Sequence, residues 1–184
     1  PIALDKMLSN IRLDLLNLNV EFDNWFSEKS LFTSGEFDDT MNQFEKDQHS
    51  FSENNAIWFK ATDFGEEKDH VLIRTNLEPT YYATDIAYHR NKFLIRKYDK
   101  VIDIWGADHH GHISRLKSAL EAIGVDRSKL NILLYQLVSL KQGDDKVRAS
   151  KRAGTIITTN ELVEEVGSDA CRYFFISRSP DSHM

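Results

Sequence analysis

Apolar residues along this chain change their period several times, and each change predicts an element. Leu4, Met7, Leu8, Ile11, Leu15 and Leu16 recur at helical spacing, which predicts an amphipathic helix over residues 4–18. Val20-Glu21-Phe22-Asp23 reads as a short strand, with Trp25-Phe26 behind it. Residues 36–50 are polar and acidic with Phe37, Met41, Phe44 and Phe51 along one stripe, the pattern of a surface helix. Ala56 to Lys60 and Val71 to Arg74 flank the turn-rich Gly65-Glu66-Glu67-Lys68-Asp69 and predict an antiparallel hairpin with a long loop. After Pro79, residues 80–98 read as helix.

Beyond residue 100 the texture changes. Val101-Ile102-Asp103-Ile104-Trp105 is an apolar run ending in Gly106-Ala107-Asp108, and a helix follows to about Ala122. Leu130 to Leu134 predicts a second buried strand, Ile156-Ile157 a short third, and residues 159–166 and 168–176 two helices. Strands alternating with helices imply a parallel α/β sheet. Ligands of such sheets sit beyond the carboxyl ends of the strands, where Gly106 to His112 and the 141–153 loop would lie.

Composition narrows the classes. Hydrophobic residues make up 41% of the 184 and charged residues 28%, the balance of a folded protein rather than a disordered one. No run approaches the roughly 20 apolar residues that a membrane helix needs, and the first residues lack a secretory layout. A single cysteine, Cys171, excludes an internal disulfide and a Cys-rich zinc site, and suits a reducing cytoplasm. With 29 acidic against 23 basic residues, the net charge of −6 argues against a surface given over to nucleic acid. Two local basic patches remain, His89 to Lys97 and Lys146 to Arg152, and the ordinary reading of each is a solvated face or loop.

Candidate chemistry concentrates in two places. Gly106-Ala107-Asp108-His109-His110-Gly111-His112 follows a strand directly, so the backbone can approach a ligand closely and the Asp can accept both hydroxyls of a ribose. Three histidines also suggest a metal, but spacing on a turn does not converge them on one ion without a carboxylate scaffold, and no metal site is expected. Lys146 to Gly154 is a cationic loop bounded by Gly143 and Gly154. It reads equally as a solvated loop or as one that closes on a polyphosphate, with the Lys151 ammonium neutralising charge on a leaving pyrophosphate.

Ser150-Lys151-Arg152 resembles the lysine-serine-lysine loop of class I aminoacyl-tRNA synthetases. Four further segments resemble arginyl-tRNA synthetases in the family's order: Phe22 to Ser30, Thr80-Tyr81-Tyr82-Ala83-Thr84-Asp85-Ile86-Ala87-Tyr88-His89, Trp105 to Gly111, and Asp169 to Phe175. The resemblance covers essentially the whole chain. It implies the second half of a Rossmann-type class I catalytic domain with a small β-hairpin/helical insertion. Residues 30–78 would be that insertion and residues 79–184 the second nucleotide-binding half, with the mobile lysine loop at 143–154. The implied function is that of an arginine–tRNA ligase, with arginine, ATP and tRNA(Arg) as partners, no membrane and a cytoplasmic location. ATP would enter as its magnesium complex, without a tightly bound cofactor. Gly106, Asp108, His109 and Lys151 would bind ATP; Ser150, Lys151 and Arg148 would form the catalytic loop. Glu28, Tyr81 and Asp85 would bind arginine. That pocket also makes chemical sense, because a planar guanidinium is best read by carboxylates in bidentate geometry, and Tyr81 and Asp85 share one helix face.

The chain departs from the family in three respects. Arg148 and Ala149 replace the first lysine and the methionine of the mobile-loop motif, which keeps the charge but removes an apolar anchor. The family's other ATP motif, a His-x-Gly-His segment upstream of the arginine pocket, has no counterpart: His109-His110-Gly111-His112 spells it, but in the wrong place. The family's tRNA-recruiting amino-terminal domain and anticodon-binding carboxy-terminal domain are also missing. The expectation is therefore a fragment, inactive alone. Two alternatives stand beside it: a metal-dependent phosphoesterase of the Asp-His-His type, which would need further aspartates at metal-ligand spacing, and a non-catalytic partner-binding module.

Overall fold

A computed structural model describes residues 2–136, 140–142, 145–147 and 158–180. The chain divides into two compact units, one of residues 26–135 and one of residues 1–25 with 136–184.

Helix α1 (Ile2–Asn17) matches the predicted amphipathic helix, yet buries none of its residues. The predicted strand Val20 to Asp23 does not form: the segment runs without regular structure, and its aromatic rings pack locally instead. Phe22 meets Trp25 edge-on at 5.6 Å, and the Arg12 guanidinium lies over the Trp25 ring. Helix α2 (Lys29–Thr33) leads into α3 (Glu36–Lys46), which carries three acids in its first turn and a lysine in its last, as the helix dipole favours. The phenylalanine stripe predicted for a surface helix is core: Phe37 and Phe44 are buried, and Phe44 stacks edge-on against Phe59.

The predicted hairpin gains a third strand. Strands β1 (Ser50–Glu53), β2 (Ala56–Phe59) and β3 (His70–Ile73) form an antiparallel meander. Asn54 and Asn55, both at positive φ, make the tight β1–β2 turn, a conformation Asn tolerates. Helix α4 (Tyr81–Arg90) begins at Thr80, whose hydroxyl accepts from the Ala83 amide and donates to the Val71 carbonyl, so the helix start is tied to β3. The helix continues as a π-turn over Asn91–Ile95, closed by Arg96 N–H donating to the Asn91 carbonyl.

Strand β4 (Val101–Gly106), a 3-10 turn over Ala107–His112, helix α5 (Ile113–Ala122) and strand β5 (Leu130–Tyr135) make a β-α-β unit. The two strands are parallel, in register from Val101–Leu130 to Gly106–Tyr135. Leu116, Ala119 and Leu120 of α5 are buried in the core that also holds Tyr82, Ile86, Val101 and Leu130. The other face of the strands is bare: Ile102, Ile104, Leu133 and Tyr135 are exposed.

In the other unit, β6 (Leu140–Gln142) and β7 (Asp145–Val147) pair antiparallel within the segment expected to be loop. Helix α6 (Thr159–Val166) starts at a capping box between Thr158 and Glu161, and α7 (Ser168–Ser177) buries Cys171. Arg172 donates to the Leu18 carbonyl at 2.6 Å, joining α7 to the end of α1. The Ile156-Ile157 strand expectation lies outside the described residues. Among the described residues no helix is long and apolar enough to cross a membrane.

Candidate functional site

A cleft of about 600 Å³ opens between α4 and the carboxyl end of β4, within the 26–135 unit. Its geometry follows from two local patterns. Strand β4 alternates with period two, so Val101, Asp103 and Trp105 lie on its more buried side and Ile102 and Ile104 on its exposed side, where both isoleucines also line the cleft. Helix α4 presents Asp85, His89 and, through the π-turn, Lys92 to the same space.

Asp85 is half-buried, and among the described residues no side chain or main-chain donor bonds its carboxylate. Burial pushes its carboxyl above the ordinary value; nearby His89 opposes this, while the charges of Glu28 and Asp103 add to it. The cleft thus holds one half-buried carboxylate whose charge is disfavoured and which has no bonded partner among the described residues. Asp103 behaves oppositely. Burial alone would push it up, but the hydrogen bonds and charges of His89 and Lys92 outweigh burial and hold it low. His89 Nε2 lies 2.7 Å from Asp103 Oδ2, and Lys92 Nζ donates to Oδ1 at 2.8 Å.

At the strand end, Gly106 and His109 line the cleft beside Asp85. A Cβ on Gly106 would come 2.5 Å from Asp108 Oδ1, a clash that the exposed Asp108 side chain can relieve by turning away. Asp108 itself is exposed, with His109 Nε2 3.8 Å from Oδ2. His112 has its pKa lowered, first by burial and then by the charges of Arg115 and His109, with Asp108 opposing. Among the described residues no three His, Cys, Asp or Glu side chains converge to hold a metal ion, so the Asp-His-His tripeptide lacks the partners that phosphoesterase chemistry needs.

The sequence-derived candidates fall into three groups. Asp85, Gly106 and His109 share the large cleft. Glu28 and Tyr81 line a neighbouring hollow of about 350 Å³, with Glu28 exposed at the start of α2 and making no capping bond, and Tyr81 83% exposed. Ser150, Lys151 and Arg148 lie outside the described residues. Sequence reasoning missed Asp103 and misjudged His89 and Lys92, which it put on a solvated patch. His89 is 3% exposed and Lys92 is mostly covered, with Nζ 4.4 Å above the Tyr88 ring. The available signal was an aspartate at an inward position of an apolar strand.

No family model matches the chain. Individual relatives do. The chain is 52% identical over 182 residues to the arginine–tRNA ligase of Desulforamulus reducens, covering 99% of the chain and 32% of that protein. It is 54% identical over 183 residues to that of Carboxydothermus hydrogenoformans, covering 33% of it. The crystal structure of an arginyl-tRNA synthetase from Campylobacter jejuni superposes with a TM-score of 0.88 at 38% identity, over 98% of this chain and 39% of that one. A Thermus thermophilus arginyl-tRNA synthetase shares the fold at a TM-score of 0.73 and 18% identity. The phosphoesterase reading finds no support among these relatives. The chain spans about a third of the length of the curated relatives it matches, and over that span it is similar to arginine–tRNA ligases at more than half of its positions.

Proposed function

We propose that this chain is the part of an arginine–tRNA ligase that holds the guanidinium of arginine and one side of ATP. The observation that carries the reading is Asp85: a half-buried carboxylate, raised by burial and by neighbouring negative charge, facing a cleft with no bonded partner among the described residues. A site prepared in this way favours a cation with several donors, and a guanidinium supplies them in a plane. Glu28 and Tyr81 would complete the arginine pocket. Gly106, Asp108 and His109 would face the ribose and the adenylate, and Ser150, Lys151 and Arg148 the pyrophosphate.

In the complete cytoplasmic enzyme, the arginine carboxylate attacks the α-phosphorus of ATP and pyrophosphate leaves. The resulting arginyl-adenylate then passes arginine to tRNA(Arg). No enzyme nucleophile is needed; catalysis is positioning together with neutralisation of charge on the departing pyrophosphate, brought in with magnesium. The fold reading at this level is the second half of a Rossmann-type domain, residues 79–184, with 30–78 as an insertion. The parallel β4–β5 pair supports it, because parallel sheets are covered on both faces and here one apolar face is bare.

The test is Asp85→Asn in a full-length ligase that contains this segment. The substitution keeps shape but turns an acceptor toward guanidinium donors into a donor. Calorimetric titration should show arginine binding weakened by about 2–5 kcal/mol and ATP binding nearly unchanged. Unaltered arginine affinity would leave Asp85 merely structural and remove the basis of the reading.

A further inference from the structure

The cleft floor carries a charged cluster to which the proposed reaction gives no direct part. Both oxygens of Asp103 are occupied, Oδ2 by His89 Nε2 at 2.7 Å and Oδ1 by Lys92 Nζ at 2.8 Å. The other ring nitrogen, His89 Nδ1, lies 2.7 Å from the main-chain carbonyl oxygen of Asp85. A carbonyl only accepts, so Nδ1 donates there. The imidazole is therefore a strut from the backbone of Asp85 to β4. His89 and Asp103 are 3% and 8% exposed, so the strut is shielded from water.

Holding α4 on β4 does not require such a strut. Apolar side chains of similar volume hold elements together as well as a buried ionic cluster does, and often better. The cluster also coincides with the α-to-π transition after Arg90, an uncommon backbone feature that recurs at functional sites. Its chemical consequence is selective. Two carboxylates, Asp85 and Asp103, line one cleft; each oxygen of Asp103 is bonded from within the protein, whereas Asp85 has no bonded partner among the described residues and faces a ligand.

We infer that His89 and Asp103 are positioning residues for arginine: they set the Asp85 turn of α4 against β4, and Lys92 closes off Asp103 as a competing cation site. The inference rests on the reading that Asp85 holds the guanidinium. Bidentate pairing depends on angle as well as distance, so a loosened turn loses arginine before it loses ATP.

The experiment compares steady-state arginine activation by a full-length ligase containing this segment with three variants. The first replaces the cluster by apolar side chains of similar size, His89→Phe with Lys92→Met and Asp103→Leu. The second is Asp103→Asn, whose amide can donate to His89 Nε2 while its oxygen accepts from Lys92. The third is Asp85→Asn. The apolar variant should raise the arginine KM about 10- to 100-fold, as small misplacements do, while the ATP KM stays within about two-fold. Asp103→Asn should rescue, with an arginine KM about ten-fold closer to the parent. A folded apolar variant with the parent's arginine KM overturns the inference, as does an equal rise in both KM values. Should that variant not fold, His89→Phe alone reads the same split. If Asp85→Asn raises the arginine KM and the apolar variant does not, positioning fails and the pocket stands. If Asp85→Asn changes nothing, the pocket reading falls and the inference with it.

Discussion

Two aspartates a few ångströms from the same histidine respond to protonation in opposite senses. The Asp103 pKa in the folded chain lies below its ordinary 3.8, because His89 and Lys92 favour the carboxylate. Its contribution to stability is therefore complete above that ordinary value and is lost as pH falls through the lower folded one. Asp85 is raised above 3.8, so its contribution is present below that value and is lost as pH rises through the folded one. At neutral pH the Asp85 carboxylate is then a cost to the fold. We expect Asp85→Asn to stabilise the protein by about 0.5–2 kcal/mol while weakening arginine, the trade expected of a strained binding group. Equal or lower stability in thermal unfolding near pH 7 would show that Asp85 is compensated in the fold. Asp103→Ala, by contrast, strands the buried His89 and the mostly covered Lys92 and should cost about 3–5 kcal/mol. Asp85 was legible in sequence because it sits four residues after Tyr81 in a motif with chemical sense. Asp103 was not, since its role depends on strand parity and on two side chains from a separate helix.

Elements were more legible than their environments. The periodicity that predicts α1, α4, α5, α6, α7, β4 and β5 is local, and each forms close to where it was expected. Failures occurred where tertiary contacts decide. Val20 to Asp23 has strand composition but pairs with no strand among the described residues, and β1 was invisible because Ser50-Phe51-Ser52-Glu53 is too polar to announce a strand until β2 lies beside it. The bare face of β4–β5 is a feature of this second kind. Ile104 is 67% exposed, so Ile104→Lys in the 184-residue chain should change stability by no more than about 0.5 kcal/mol. In a full-length ligase, where further sheet or helix is expected to cover that face, the same change should cost about 2 kcal/mol or more through burial of an unpaired charge. Chemical denaturation of both proteins checks this. Equal effects would mean that the face is solvent-exposed in the enzyme too, against the Rossmann-half reading.

For the whole molecule, the decisive relation is between this chain and the remaining two thirds of its relatives' length. Under the proposed reading, the Asp85 carboxylate, unbonded among the described residues, selects the cation, but activation also needs groups for the ATP phosphates, and Ser150, Lys151 and Arg148 lie outside the described residues. The direct measurement is amino-acid-dependent ATP–pyrophosphate exchange by the Desulforamulus reducens ligase in which this chain replaces the matching segment. Exchange that depends on arginine, with lysine rejected because a point charge cannot form the bidentate pair, is the expected result. A folded chimera that exchanges with lysine as readily as with arginine, or with neither, would contradict the assignment of this segment as the arginine-selecting part of the enzyme.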